Sequence, residues 1–384
     1  MAKKIYIGVD GTSRKIKKGY IGVDGVARKI KKAYIGVGGV ARPCFSGGEL
    51  AYYGELTSRT IYSNDGAATA VGDYAIFAGG DMNNVYAVSG VYLSVTYTEK
   101  ALYYKVEGLA ATTVGNYAIF AGGYSEDSKT YRSVMNAYDR SLTRTYTEYS
   151  LVAAVSDLAA TTTGNYAIFA GGYNNNIGCS GRTTYYNASL TRSIGTDMTT
   201  ARSKLAATTV GNYAIFAGGK KDNAGNCVAA VEAYDKSLVH SSLSNGLSYA
   251  KEGLVAAAVG NYALFAGGAD SKTTYRGVDV YDTSLIRSKT ASLLSDAKWD
   301  GAATSLGDYA LFAGGYKNIY TSVYNAEESA TVDAYDSSLT KTTQHELSAA
   351  TSWLSAASVG NYAIFAGGFN GSTEGYVTDV YMID

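Results

Sequence analysis

Residues able to carry out chemistry are few in this chain and far apart. The two histidines, His240 and His345, lie in different repeats, and neither has a second ligand at metal-site spacing. Both are expected at the surface. The three cysteines, Cys44, Cys179 and Cys227, do not form a disulfide framework. Cys179 and Cys227 fall in equivalent loops of neighbouring repeats. Pairing between them stays open, with free thiols of a reducing cytosol the expectation. No Gly-x-Ser-x-Gly and no nucleophile beside a base can be read. Gly-Gly pairs recur, but each follows an apolar run and opens a loop, without Gly-Lys-Thr or a helix, so they do not cradle phosphate. No enzyme activity, no cofactor and no bound metal are expected.

Binding is the chemistry that the residues do suggest. After each Gly-Gly the text varies in length and content and is rich in Tyr, Asn, Ser and Gly. Tyrosine gives rigid contact area, and the small polar residues give adaptable hydrogen bonds. Variable loops on a constant scaffold are where recognition concentrates. The candidate binding residues in these loops are Tyr124, Tyr173, Tyr316, Tyr320 and Phe369. The connections leading into the first strands add Tyr103, Tyr104, Arg202, Lys251, Trp299 and Trp353, expected on the same face. A sugar or a protein surface would suit this set.

The elements that position them are repeated. Gly115-Asn116-Tyr117-Ala118-Ile119-Phe120-Ala121-Gly122-Gly123 is written seven times with small changes, and successive Gly-Gly pairs are 43 to 53 residues apart. That period, with an apolar run ending in Gly-Gly, predicts an all-β propeller of seven blades. In the second copy, Leu109 to Val114 is a first strand, Gly115-Asn116 a tight turn and Tyr117 to Ala121 a second strand apolar on both faces. Ser133 to Tyr138 is a third strand, and Thr143 to Tyr146 a fourth. The first strand carries an Ala-Ala pair in every copy, as at Ala110-Ala111. Small side chains suit the strand nearest the axis. The Gly-Gly, lacking Cβ atoms, lets another segment approach closely. The last copy stops at its third strand. Glu55-Leu56-Thr57-Ser58-Arg59-Thr60 resembles the fourth-strand text and is expected to close the ring.

Residues 1–45 form a second module and 46–384 the propeller. Tyr6-Ile7-Gly8-Val9-Asp10-Gly11 recurs at Tyr20 and, as Tyr-Ile-Gly-Val-Gly-Gly, at Tyr34. Asp-Gly or Gly-Gly between short apolar runs is a hairpin signal, so a β-meander of about six strands is expected. Ser46-Gly47-Gly48 reads as a linker. The module carries eleven Lys and Arg against Asp10 and Asp24, a net +9, while the rest carries 22 against 31, a net −9. Few short strands are marginal alone, so this module is expected to associate with itself or with a larger assembly. Its lysines read as solvated edge charges rather than a nucleic-acid site. No signal peptide and no membrane-spanning run are visible.

Two resemblances follow from these residues. The apolar run, Gly-Gly and the later Tyr138-Asp139, Tyr234-Asp235, Tyr281-Asp282 and Tyr335-Asp336 resemble the kelch repeat, as does Arg202, with Lys251 and Lys298 in the matching positions. The kelch Trp of the fourth strand is absent; Leu142, Leu190, Leu238, Leu285 and Leu339 are expected to supply part of that packing. The stretch Val26 to Cys44 resembles repeats at the start of prophage-encoded tail or tail-fibre-like proteins of Gram-positive bacteria. That resemblance implies a phage or prophage tail-associated protein, made in the bacterial cytoplasm and found on the virion or outside the cell after lysis. Residues 1–45 would contact other tail proteins, and the propeller loops a host-surface glycan or protein. A soluble kelch-type interaction scaffold is the alternative, and a glycan-active enzyme the third reading.

Overall fold

In a computed structural model, the described residues comprise six N-terminal strands between Tyr6 and Ser46 and all of 49–383 except 58, 81–82, 148–149, 290–291, 319–326 and 372–375. The six strands pair as three separate two-stranded hairpins: Tyr6–Val9 with Thr12–Lys15, Tyr20–Val23 with Val26–Lys29, and Lys32–Val37 with Val40–Ser46. Among the described residues no ladder joins one hairpin to the next. The third hairpin also takes in Ser46, one residue of the expected linker.

The remainder is a seven-bladed β-propeller, each blade built on four antiparallel strands that follow sequence order in blades 1–6, with a short extra strand, Gly178–Cys179, in blade 3. Blade 2 runs Ala110–Val114, Tyr117–Ala121, Met135–Asp139 and Arg144–Thr147. The first strands are innermost, and each touches the first strands of both neighbours around a closed circle. Threonine hydroxyls tie this circle: Thr113 Oγ1 donates to Ala70 O at 2.5 Å, and Thr112 and Thr162 share a bond of 2.8 Å. The Ala pairs and these short hydroxyl side chains let seven strands converge.

The second strand is buried on both faces because each face belongs to a different interface. Ile119 and Ala121 pack toward blade 3, and Ala118 and Phe120 toward blade 1. The same alternation builds seven apolar clusters, one between each pair of adjacent blades, including blades 7 and 1. The Tyr of each Tyr-Asp pair adds a polar tie. Tyr234 packs edge-on to Phe216, and its hydroxyl donates to Thr196 O at 2.9 Å. The following Asp235 accepts from the backbone N–H groups of Ser237 and Val239, which shapes the turn into the fourth strand. Leu238 then takes a left-handed backbone and packs on the blade 3–4 cluster. The equivalent Leu142, Leu190, Leu285 and Leu339 do the same at their interfaces.

Blade 7 is closed from the other end of the sequence. Its fourth strand is Leu50–Glu55, paired antiparallel with Val377–Ile383. The closing strand therefore ends where the expected segment, 55–60, begins. The reason lies in its side chains: Tyr52 donates to Asp379 at 2.7 Å and stacks on His345 with ring centroids 4.1 Å apart. The chain leaves the ladder after Leu56, whose N–H meets Thr378 O.

Candidate functional site: the axial mouth

At the entry to each innermost strand one residue has a left-handed backbone: Asp65, Gly108, Lys204, Gly253 and Asp300 lie two residues ahead of their strands, and Asp157 and Trp353 are the second residues of theirs, with φ from 50° to 63°. These seven residues form a closed ring of backbone hydrogen bonds. Gly108 N donates to Asp65 O, Asp157 to Gly108, Lys204 to Asp157, Gly253 to Lys204, Asp300 to Gly253, Trp353 to Asp300 and Asp65 to Trp353, all at 2.8–3.1 Å. One bond per blade holds the rim of the axial opening. The side chains that the ring carries face a shared cavity of about 210 Å³.

Just outside the ring, the inner hairpin of six blades continues past Gly-Gly. Glu107 pairs with Tyr124, Ser156 with Tyr173, Ser203 with Lys220, Glu252 with Ala269, Trp299 with Tyr316 and Ser352 with Phe369. The glycines permit this. A Cβ on Gly122 would meet Val155 O at 2.8 Å, and one on Gly123 would meet Glu107 O at 2.9 Å. Both have positive φ. Gly122 is approached by the connection into the next blade's first strand and Gly123 by the one into its own, and Gly123 N donates to Val155 O.

The mouth is mostly acidic. Lys204 Nζ lies 3.7 Å from Asp300 and 5.7 Å from the centre of the Trp299 ring, and Trp353 Nε1 donates to Asp300 at 3.1 Å. Asp300 and the other nearby carboxylates hold the Lys204 ammonium well above its ordinary range. Lys220 Nζ is 3.4 Å from Glu252. Burial and the negative charge of Asp157 push the Asp65 carboxyl well above the usual carboxylate range. A second cavity, about 290 Å³, opens beside the first and shares Asp65, Gly108 and Asp157 with it. Its walls are Tyr124, Tyr131 and Tyr173, with Glu107, Lys220 and Asn223 at the edges. Tyr124 and Tyr131 are 4.8 Å apart and tilted, and Tyr131 meets Tyr173 edge-on.

The expected binding residues separate into three groups. Tyr124 and Tyr173 line the second cavity. Trp299, Tyr316, Trp353 and Phe369 form an aromatic chain across blades 6 and 7, with centroid separations of 5.2–6.1 Å. Within it Trp353 faces the axial cavity, whereas Tyr316 is fully buried and supports the others from below. Tyr103 and Tyr104 lie apart from both cavities. Tyr103 stacks on Tyr146 of an outer strand at 4.2 Å, and Arg132 covers Tyr104. Tyr320 lies outside the described residues.

Arg202 and Lys251 require correction, because both are buried within the blades. Arg202 is ion-paired and hydrogen-bonded to Glu232, which also meets His240 at 2.6 Å. Lys251 lies 3.2 Å from Asp279. They sit two residues ahead of the ring, where the side chain turns into the blade. Cys179 and Cys227 are free thiols. Asp65, Asp157, Lys204 and Asp300 were not among the expected residues. Their signal is a single column of the repeat, at the entry to the first strand, that reads Asp, Gly, Asp, Lys, Gly, Asp, Trp.

No family model and no curated protein matches the chain. Among solved structures, one described as the structure of YjhT aligns with a TM-score of 0.59 and 12% identity, covering 76% of this chain and 99% of that one. At that identity the likeness is one of fold, and the fold shared is the β-propeller.

Proposed function

We propose that the chain is a tail-associated structural and receptor-binding protein of a phage or prophage particle. Residues 1–45 attach it, and the axial face of the propeller binds a surface ligand. The blade text, with its Gly-Gly and Tyr-Asp pairs, supports placing the propeller among kelch repeats. The observation that carries the binding reading is the contrast around the mouth. Seven near-identical inner hairpins end in a ring position and a residue after Gly-Gly that differ from blade to blade. A scaffold that needed only to close would have no use for that variety at one place. Aromatic walls beside carboxylates suit a hydroxylated or charged ligand rather than an apolar one.

The test has two arms. Full-length protein should cosediment with particles, and a chain lacking residues 1–45 should not. Full-length protein should also bind bacterial cells or their surface polymers, and Trp353→Ala should weaken this at least fivefold. A chain that cosediments equally without residues 1–45 would refute the attachment role. Absence of cell binding by the intact protein would refute the receptor role.

A further inference from the structure

The second cavity has a chemistry narrower than the mouth as a whole. Its one cation, Lys220, is already engaged with Glu252, and Lys204 of the neighbouring axial cavity with Asp300. Asp65, Glu107 and Asp157 contribute three carboxylates to its lining, and Lys220 is its only basic residue. Among the described residues, the Asp65 carboxylate makes no hydrogen bond and no ion pair. It stands half-buried beside the like charge of Asp157, and Lys204, which is ion-paired with Asp300, offsets that charge only in part.

Two features decide what positive partner would suit it. Among the described residues, no three His, Cys, Asp or Glu side chains gather closely enough to hold a metal ion. Three mutually contacting aromatic rings, Tyr124, Tyr131 and Tyr173, also line it. A cation that meets both carboxylates and aromatic rings, in about 290 Å³, is large and organic. Ring faces attract ammonium groups by their quadrupole, and more strongly where water is displaced. We infer that this cavity binds an organic ammonium group, with Asp65 and Asp157 as its counter-ions and the three tyrosines as its wall. The inference rests on the receptor-binding reading and names the class of ligand that it would take. A choline-type headgroup and an amino sugar share this chemistry.

The experiment pairs each amine with a neutral isostere on the full-length protein. Choline is compared with 3,3-dimethylbutanol, and glucosamine with glucose, by calorimetry or ligand-observed NMR. One of the amines should bind at least tenfold more tightly than its isostere, and which one it is identifies the source. Asp65→Asn and Asp157→Asn should each weaken that amine about tenfold, and Tyr173→Ala should do the same. Tyr249→Ala, on an exposed surface away from both cavities, should leave it unchanged. Melting temperatures within a few degrees of wild type show that the variants are folded. Equal binding of amine and isostere, no binding of either amine, or no effect of the folded Asp65→Asn variant would each overturn the inference. Cell binding by the intact protein, measured separately, would survive such a failure, so the two ideas fail independently.

Discussion

Lys298 offers a direct measurement of what a buried charge costs in this fold. It occupies the blade 6 position that holds Arg202 in blade 4 and Lys251 in blade 5, but without their ion pairs. Its ammonium donates to Thr331 O and Thr331 Oγ1 at 3.0 Å and approaches Phe312 O at 3.4 Å, all uncharged acceptors. The nearby Asp333 is taken by Lys341 at 3.3 Å and by Ser295. Burial therefore dominates and lowers the Lys298 pKa from 10.5 to about 8. The unfolded chain binds the proton more tightly than the folded one, so between these two values stability rises with pH. The contribution is fully present above the unfolded pKa and is lost as pH falls through the folded one. From pH 7 to pH 10, wild type should gain about 2 to 3 kcal/mol relative to Lys298→Met, in which the group is absent. Urea unfolding of both proteins at pH 7, 8.5 and 10, followed through Trp299 and Trp353 fluorescence, measures this difference, and titrations common to both cancel. A difference that is flat with pH, or that falls, would refute the reasoning.

Two further outcomes test the ring and its closure. Gly253→Ala places a Cβ at φ 61°, 2.6 Å from Asp300 Oδ1 and 2.9 Å from Trp299, so it should cost about 2 kcal/mol in urea unfolding. Gly225→Ala, also at positive φ but with nothing within 4 Å, should cost about 1 kcal/mol; equal losses would mean that the ring contacts carry no energy. Deleting residues 49–55 strips the fourth strand from blade 7 and exposes the cluster on which Leu50 and Tyr52 pack. The whole propeller should lose at least about 3 kcal/mol, and an unchanged thermal transition would show that the ring closes without that strand.

Much of the architecture was legible because the chain repeats it. The apolar run, the Ala pair and the Gly-Gly each answer a constraint that recurs in every blade, so seven copies agree. The binding face was less legible, because direction is not written in position. Arg202 and Trp299 both fall in connections to a first strand, yet one lies two residues and the other one residue ahead of the ring. That single step sends Arg202 inward to Glu232, some thirty residues later in the third strand, and sets Trp299 opposite Tyr316. The ring was hidden for a different reason. It is made by backbone groups in a left-handed conformation, which aspartate, glycine, lysine and tryptophan all adopt here, so no constant letter marks it. The closing strand lies earlier than the Leu56-Thr57 pair suggests, because Leu-Thr opens a fourth strand only after a Tyr-Asp or Tyr-Asn turn. A strand arriving from the opposite end of the chain needs no such turn.

The closing strand also sets how the molecule would bear force. Any tension arriving through residues 1–48 enters the propeller at Leu50, which is paired with Ile383. No other blade stands between that point and the load. The strand first pulled is therefore the outer strand of blade 7, and the interface between blades 6 and 7 and that between blades 7 and 1 lie next in line. In mechanical terms the ring has a designated first point of failure. A pull along the strand loads its rungs together, whereas a pull across it opens them one at a time, beginning at Leu50. The direction of tension, rather than its size alone, would then decide whether the ring holds.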